Sequence, residues 1–278
     1  VLASFGIGDV TQSNSIAAAL RQAFSLPPVL VGFVTAALTL IIIQGGIHRI
    51  AGAASVLVPV MAGGYLLAGL AVIAVHWQNV PAALGEMFSQ ALSPAAVAGG
   101  AAGTALRWGV ARGIFSNEAG MGSAAITAAS AGGSPALQGC IHMTGVFFDT
   151  IVVCTVTGLA ICCSGVLGTA DSATGLPAEG AALTILAFET VLGSAGRIFL
   201  AVSIVLFAFS SMLGWAYQGE IALIYLAGRR AVPLYRCLFA AAALAGAFLD
   251  VEAAFGLSDL FNSLMALPNL VCLLLLSG

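Results

Sequence analysis

Gly113-Ile114-Phe115-Ser116-Asn117-Glu118-Ala119-Gly120-Met121-Gly122-Ser123 decides how this chain is read. The stretch holds a carboxylate, an amide, two hydroxyls and three glycines, within sequence that otherwise reads as membrane. In hydrocarbon every backbone N–H and C=O must find a partner. Irregular polar backbone at that depth is tolerated only where it is buried in protein or lines a cavity. A charged side chain there marks a functional site by default. Unwinding a helix in mid-membrane frees N–H groups suited to a carboxylate and C=O groups suited to a cation. The competing reading is a tight helix crossing built on small residues such as Gly120 and Ser123. Asn117 and Glu118 beside them favour a site.

Composition supports the membrane reading. The chain is 60% hydrophobic and only 7% charged, against roughly 25% charged in soluble domains. Its eight basic residues are all arginine and its net charge is −3, so nothing points to a nucleic-acid partner. The six cysteines (Cys140, Cys154, Cys162, Cys163, Cys237, Cys272) lie mostly in apolar runs without metal-ligand spacing, and read as small buried hydrophobes. No initiator Met or signal peptide is visible, and the expectation is an internal piece of a longer protein.

A spanning helix needs about 20 mostly apolar residues. Candidates fall at 1–24 (weakly apolar), 29–46, 54–77, 96–131 (interrupted), 139–164, 195–218, 234–250 and 256–277. Residues 78–95 read as a loop with a short amphipathic helix. The 165–194 linker contains Asp171. It ends in Leu183, Leu186, Ala187, Val191 and Leu192, a helical spacing that predicts a helix lying on the surface. Arginine counts in the loops divide evenly; the Arg229-Arg230 cluster puts its side in the cytoplasm. No inverted repeat is evident within the chain.

Two further constellations stand out. In Phe207–Trp215, Phe207, Ser210 and Ser211 share a helix face, and a free carbonyl with two hydroxyls is oxygen ligation suited to Na⁺. Trp215 lies on the same face one turn on and can wall a small pocket. Serine back-bonding with a packed indole is the equal alternative. In Phe5–Asn14, Phe5, Asp9, Gln12 and Ser13 line one stripe. Asp9 is costly in a helix unless paired or wet, or else marks a helix end at the interface. Asp149 reads as ion pair, packing or ligand contact. Glu220, near Arg229-Arg230, reads as a solvated or gating charge. Asp259 and Asn262 read as a gate. His48, His76 and His142 are scattered, so a metal site is not expected. No nucleophile elbow, phosphate loop or zinc motif appears, so the chain does not read as an enzyme.

Taken together these residues resemble the alanine/glycine:cation symporter family, the sodium:alanine symporters. The resemblance rests on Ser4–Asp9 with Gln12–Ser15, Gly45–Ile47, Val58–Ala62, Arg112–Ser123, Gln138-Gly139, Asp149-Thr150, Phe207–Trp215, Gly219-Glu220 and Met265–Asn269. The Arg112–Ser123 run is the most specific.

The resemblance implies an all-α polytopic membrane protein with a partial leucine-transporter-type fold. Two inverted five-helix repeats make up that fold, with two unwound helices around the substrate. Residues 1–278 would form one transporter domain running from roughly the third to the tenth helix, without the first two. The implied activity is inward symport of alanine or glycine with Na⁺, or sometimes H⁺, in a bacterial plasma membrane, with no cofactor and with lipid as surroundings. Implied substrate contacts are Phe5, Gln12, Phe115, Asn117, Ala119, Gly120, Gly122, Ser211 and Trp215. Implied sodium ligands are Phe207, Ser210 and Ser211. Asp9, Glu118, Asp149 and Asp259 would be structural or gating residues. Three positions depart from the family's pattern: Asp9 stands where asparagine is usual, Ser211 where threonine is, and Gln218 where tyrosine is.

Overall fold

The computed structural model of the chain describes residues 1–45, 47–91, 104–170 and 175–276. Gly46, residues 92–103, Asp171 and Ser277, which fall within the expectations above, lie outside them. The described residues are helical throughout except for turns and one antiparallel bridge, Ala170 with Pro177.

The helices are α1 (Leu2–Phe5), a π-helical segment (Gly6–Val10), α2 (Thr11–Phe24), α3 (Pro28–Ile43), α4 (Ile47–Val75) and α5 (Val80–Ala91). Next come α6 (Thr104–Asn117), α7 (Ser123–Ala131), α8 (Pro135–Val146), a second π segment (Phe147–Val153) and α9 (Cys154–Ser164). The last are α10 (Gly180–Ala227), α11 (Val232–Gly246) and α12 (Val251–Leu276). The stretches Val58–Val75, Pro135–Ser164, Gly180–Ala227 and Val251–Leu276 are long and apolar enough to cross a membrane, and Pro28–Ile43 is a shorter apolar helix. The protein is therefore a multi-pass membrane protein.

Local chemistry sets the boundaries. Ser25 closes α2 in the left-handed conformation, with its N–H on the Arg21 carbonyl at 2.9 Å. Pro28 and Pro135 then open new helices at a position where the missing N–H costs nothing. Ser134 caps α8 by accepting the Leu137 N–H at 3.2 Å. Gly193 (φ 56°, ψ −149°) breaks α10 in two, a conformation open essentially to glycine. The amphipathic segment read at 183–192 is thus the stretch before this kink, and the predicted span at 195–218 begins just after it.

Packing inverts the pattern of a water-soluble protein. The outward faces are apolar: on α3, Val29, Leu30, Phe33, Val34, Leu38 and Ile41 are all exposed. A soluble protein rarely shows so large a contiguous patch, whereas a bilayer solvates it. The interior carries the polarity. Ser4, Asp9, Thr11, Ser13, Asn14 and Gln22 are all buried, so the least apolar candidate span is the central one. It lies against α10, which also packs on α4. Ser13 Oγ donates to the Ala243 carbonyl at 2.5 Å. Asn14 Nδ2 donates to the carbonyls of Gly246 at 3.1 Å and Leu249 at 2.5 Å. These bonds hold α2 against the end of α11. α12 closes over the first π segment.

Three expectations need correction. Asp9 is fully buried, not at an interfacial helix end. Glu220 is a paired, half-buried charge rather than a freely solvated one, and its partner is not one of the nearby Arg229-Arg230. It accepts both Arg236 donors at 2.8 Å, because the start of α11 runs back alongside it. Of the six free cysteines only Cys163 is buried; Cys140, Cys154, Cys237 and Cys272 are exposed, Cys154 with its thiol 3.5 Å from the Ser116 hydroxyl.

Candidate functional site

The stretch that dominates the sequence is a true helix break. α6 ends at Asn117, α7 starts at Ser123, and Glu118, Gly120 and Gly122 between them all have positive φ. Glu118 is the informative member, because a non-glycine residue at φ 55° persists only when its surroundings hold it there. They do. Its Oε2 accepts the Ser123 hydroxyl at 2.6 Å and its Oε1 accepts the Trp215 indole N–H at 3.0 Å. One carboxylate therefore closes the break on itself and ties it to α10.

Side chains around the break bond to part of its backbone and to one another. Asn117 Oδ1 accepts the Ala119 N–H at 2.8 Å, and its Nδ2 donates to Thr150 Oγ1 at 3.3 Å. Ser116 Oγ donates to Asp149 Oδ2 at 2.5 Å. Both partners sit in the second π segment, so this irregular stretch of helix is aimed at the break; such segments often occur at functional sites. Asn269 Nδ2, one residue past Pro268 in α12, donates to the Gly120 carbonyl at 2.7 Å. A Cβ on Gly122 would meet Asn269 Oδ1 at 3.0 Å.

Two cavities flank this junction. The larger, about 690 Å³, is lined by Gln12, Tyr65, Asp149, Phe207, Ser211 and Phe255 among others. It therefore joins four of the expected site residues, Gln12, Asp149, Phe207 and Ser211. The smaller, about 300 Å³, is lined by Met121, Gly122, Ser123, Trp215, Gln218 and Asn269 among others. Gly122 and Trp215 thus face the second cavity. Trp215 is buried with its Cβ packed on Gly8, where an added Cβ would lie 2.1 Å away.

The other expected residues are dispersed. Phe5 packs its ring on Tyr235 and Phe239 and lines neither cavity. Ser210 Oγ donates to the Phe207 carbonyl at 2.8 Å, while Ser211 is exposed toward the larger cavity. Ala119 and Gly120 are exposed at the break. Phe115 packs on Phe255, and the Arg112 guanidinium lies over both rings, 4.9 and 5.0 Å from their centroids. Arg112 pairs with both carboxylate oxygens of Asp259. Phe255 lines the larger cavity, so this cluster of ion pair and rings stands beside it. Asn262 is buried one turn past Ser258 and is not part of the pair.

Sequence reasoning did not single out Thr150, Ser116 or Arg112 as partners. Only Asn269, a polar residue next to a proline in an apolar helix, carried a local signal.

The family profile described as the sodium:alanine symporter family matches residues 1–278. The chain belongs to the sodium:alanine symporter family. Among relatives of this symporter family, the sodium/alanine symporter AgcS of Methanococcus maripaludis is 44% identical over 277 residues, 99% of this chain and 60% of that protein. The sodium/proton-dependent alanine carrier protein of Bacillus sp. (strain PS3) is 34% identical, covering 95% of this chain and 62% of its own length. The probable sodium/glutamine symporter GlnT of Bacillus subtilis is 38% identical, covering 99% and 57%. The chain thus spans about three fifths of the length of these family members. All three are named as carriers or symporters, none as an enzyme.

Proposed function

We propose that the protein is a secondary active transporter that carries a small neutral amino acid, alanine or glycine, inward with Na⁺ by alternating access. One observation carries the reading: the helix break at Asn117–Gly122, held open by Glu118 and tied through Trp215 to the helix that bears Phe207 and Ser211. A break in mid-membrane offers the freed N–H groups that an amino-acid carboxylate needs. Membership of a family whose relatives are named for alanine and sodium supports the same reading.

In this proposal the substrate lies between the break and the larger cavity. Gln12, Phe115, Asn117, Ala119, Gly120, Gly122, Ser211 and Trp215 surround it. Phe5, packed on Tyr235 and Phe239, sets the position of its helix from behind. Na⁺ is bound as co-substrate by the Ser211 hydroxyl and the second lone pair of the Phe207 carbonyl. Ser210 fixes that carbonyl by its own hydrogen bond. Arg112 and Asp259, with Phe115 and Phe255, form a gate over the larger cavity, and Asp149 anchors the break through Ser116. Residues 1–278 belong to a single transporter domain and make up part of a leucine-transporter-type fold in the plasma membrane.

The experiment is uptake of labelled alanine by the complete protein in proteoliposomes, with and without an inward Na⁺ gradient. Saturable uptake driven by Na⁺ is expected. No uptake under any cation gradient removes the reading.

A further inference from the structure

Asp9 is 0% exposed, and neither carboxylate oxygen has a hydrogen-bond partner. Its neighbours in the fold explain its isolation. Phe5 and Ser13, one turn to either side on the same stripe, both face α11: Phe5 through the rings of Tyr235 and Phe239, Ser13 through the Ala243 carbonyl. On the other flank α12 comes so close that a Cβ on Gly6 would lie 3.0 Å from Ser258 Cα and 3.4 Å from its Oγ. The hydroxyl of Ser258 and the side-chain oxygen of Asn262, both buried on α12, likewise have no partner. Three unsatisfied polar groups therefore belong to the two elements that meet at this seam.

The ionisable groups of the surrounding elements are committed elsewhere. On α11, the Tyr235 hydroxyl donates to the Ala216 carbonyl and is bonded to Ser4. Arg236 on α11 is paired with Glu220 on α10. On α12, Asp259 is paired with Arg112, and Glu252 is exposed at the far start of the helix. On α2, Arg21 is partly exposed three turns away. None of these supplies Asp9 with a counter-charge. An isolated carboxylate moved from water to an apolar interior loses its hydration without replacement, and in practice neutralises instead. Proton uptake is the one neutralisation that requires neither a ligand shell nor space.

We propose that Asp9 is a proton-binding site: it holds a proton while α12 is closed over the Gly6–Val10 segment, and gives it up to water when the two part. The change is a single O–H dissociation, Asp9–COOH to Asp9–COO⁻ with the proton passing to the aqueous phase. Separation of α12 hydrates Asp9, Ser258 and Asn262 together, so the protonation state reports the position of the helix. The transport reading is separate from this inference, because the direct readout below needs no uptake.

The test is infrared difference spectroscopy of the complete protein between mildly acidic and alkaline pH, comparing it with Asp9→Asn. The unmodified protein is expected to show the C=O stretch of a protonated carboxylic acid at neutral pH, and Asp9→Asn to lack that band. Identical spectra in this region overturn the proposal. If Asp9→Asn does not fold, ¹³C-aspartate labelling of the unmodified protein decides: the band must shift on labelling, and a band that stays put overturns the proposal. Where uptake is measurable, its dependence on pH should flatten at least several-fold in Asp9→Asn. A profile that keeps its full slope overturns the coupling to α12 while the infrared band still reports the proton.

Discussion

Glu118 Oε1 accepts the indole N–H of Trp215, joining the break between α6 and α7 to the middle of α10. The same carboxylate takes the Ser123 hydroxyl, so its two oxygens serve two different purposes. Glu118→Ala should leave the buried Trp215 N–H and the Ser123 hydroxyl unpaired, at a cost of about 1–3 kcal/mol for each group. The expected outcome is a red shift in tryptophan emission and a lower melting temperature. Ser123→Ala removes only one arm and should cost less. Unchanged emission in Glu118→Ala would show that the indole is held by packing alone.

Gly8 is the place where Trp215 comes closest to another backbone. A methyl group there meets Trp215 Cβ at 2.1 Å, an overlap that neither side can relieve by changing rotamer. Gly8→Ala should lower the yield of folded protein and the melting temperature, by at least the 1–3 kcal/mol that is roughly typical of overpacking. Gly63→Ala, where nothing lies within 4 Å of the added carbon, is the control and should be neutral or slightly stabilising. Equal melting temperatures for the two variants would mean that the helices slide apart freely here.

The hydroxyls of Ser210 and Ser211 are adjacent in sequence but differently placed. Ser210 donates to the Phe207 carbonyl and Ser211 opens onto the larger cavity. Ser211→Ala should raise the Na⁺ concentration needed for half-maximal uptake by roughly tenfold, the effect of losing about 1.4 kcal/mol of binding. Ser210→Ala should raise it less. An unchanged sodium requirement in Ser211→Ala takes that residue out of the cation site.

Arg112 and Asp259 combine an ion pair with two aromatic faces beside the larger cavity. With the six native cysteines replaced, a cysteine substituted for Ser211 should react with a membrane-impermeant thiol reagent several-fold faster when Asp259→Asn is added. Arg112→Lys keeps the charge but loses the planar fork, and should fall between the two. Equal rates in all three backgrounds would place the barrier elsewhere.

The sequence carried the helical character, the position of the break and the amphipathic segment before Gly193, because glycine, proline and apolar spacing act locally. Gln12, Asp149, Phe207 and Ser211, which the sequence offered in three different roles, line one cavity. What remained hidden was pairing across helices. Glu220 is bound by Arg236 rather than by the arginines nearer its own helix end, and only the return of α11 decides that. The partners of Asn117 and Ser116 lie in a π segment whose apolar neighbours give no sign of a change in helix type. Phe5 shares the polar stripe in sequence, yet its ring turns to Tyr235 and Phe239.

The first π segment has a consequence for the length of the chain. The Thr11 N–H bonds to the Gly6 carbonyl, five residues back, so one residue more than an α-helix needs is accommodated there. Were that surplus not absorbed, everything after it would advance by about 100° of helical phase, since each residue of an α-helix turns through 360°/3.6. Deleting a single residue from Gly6–Val10 would restore a regular helix without breaking the chain's path. Ser13 and Asn14 would keep the phase that holds them on the carbonyls of Ala243 and Gly246, whereas a regular α-helix through every residue of the segment would swing them away. A one-residue deletion is ordinarily harmless in an exposed turn such as Gly132-Gly133. In this buried helix it is tolerated only inside Gly6–Val10, because the loss of a residue elsewhere would rotate a whole face, so the residue count here is as much a determinant of the structure as any side chain.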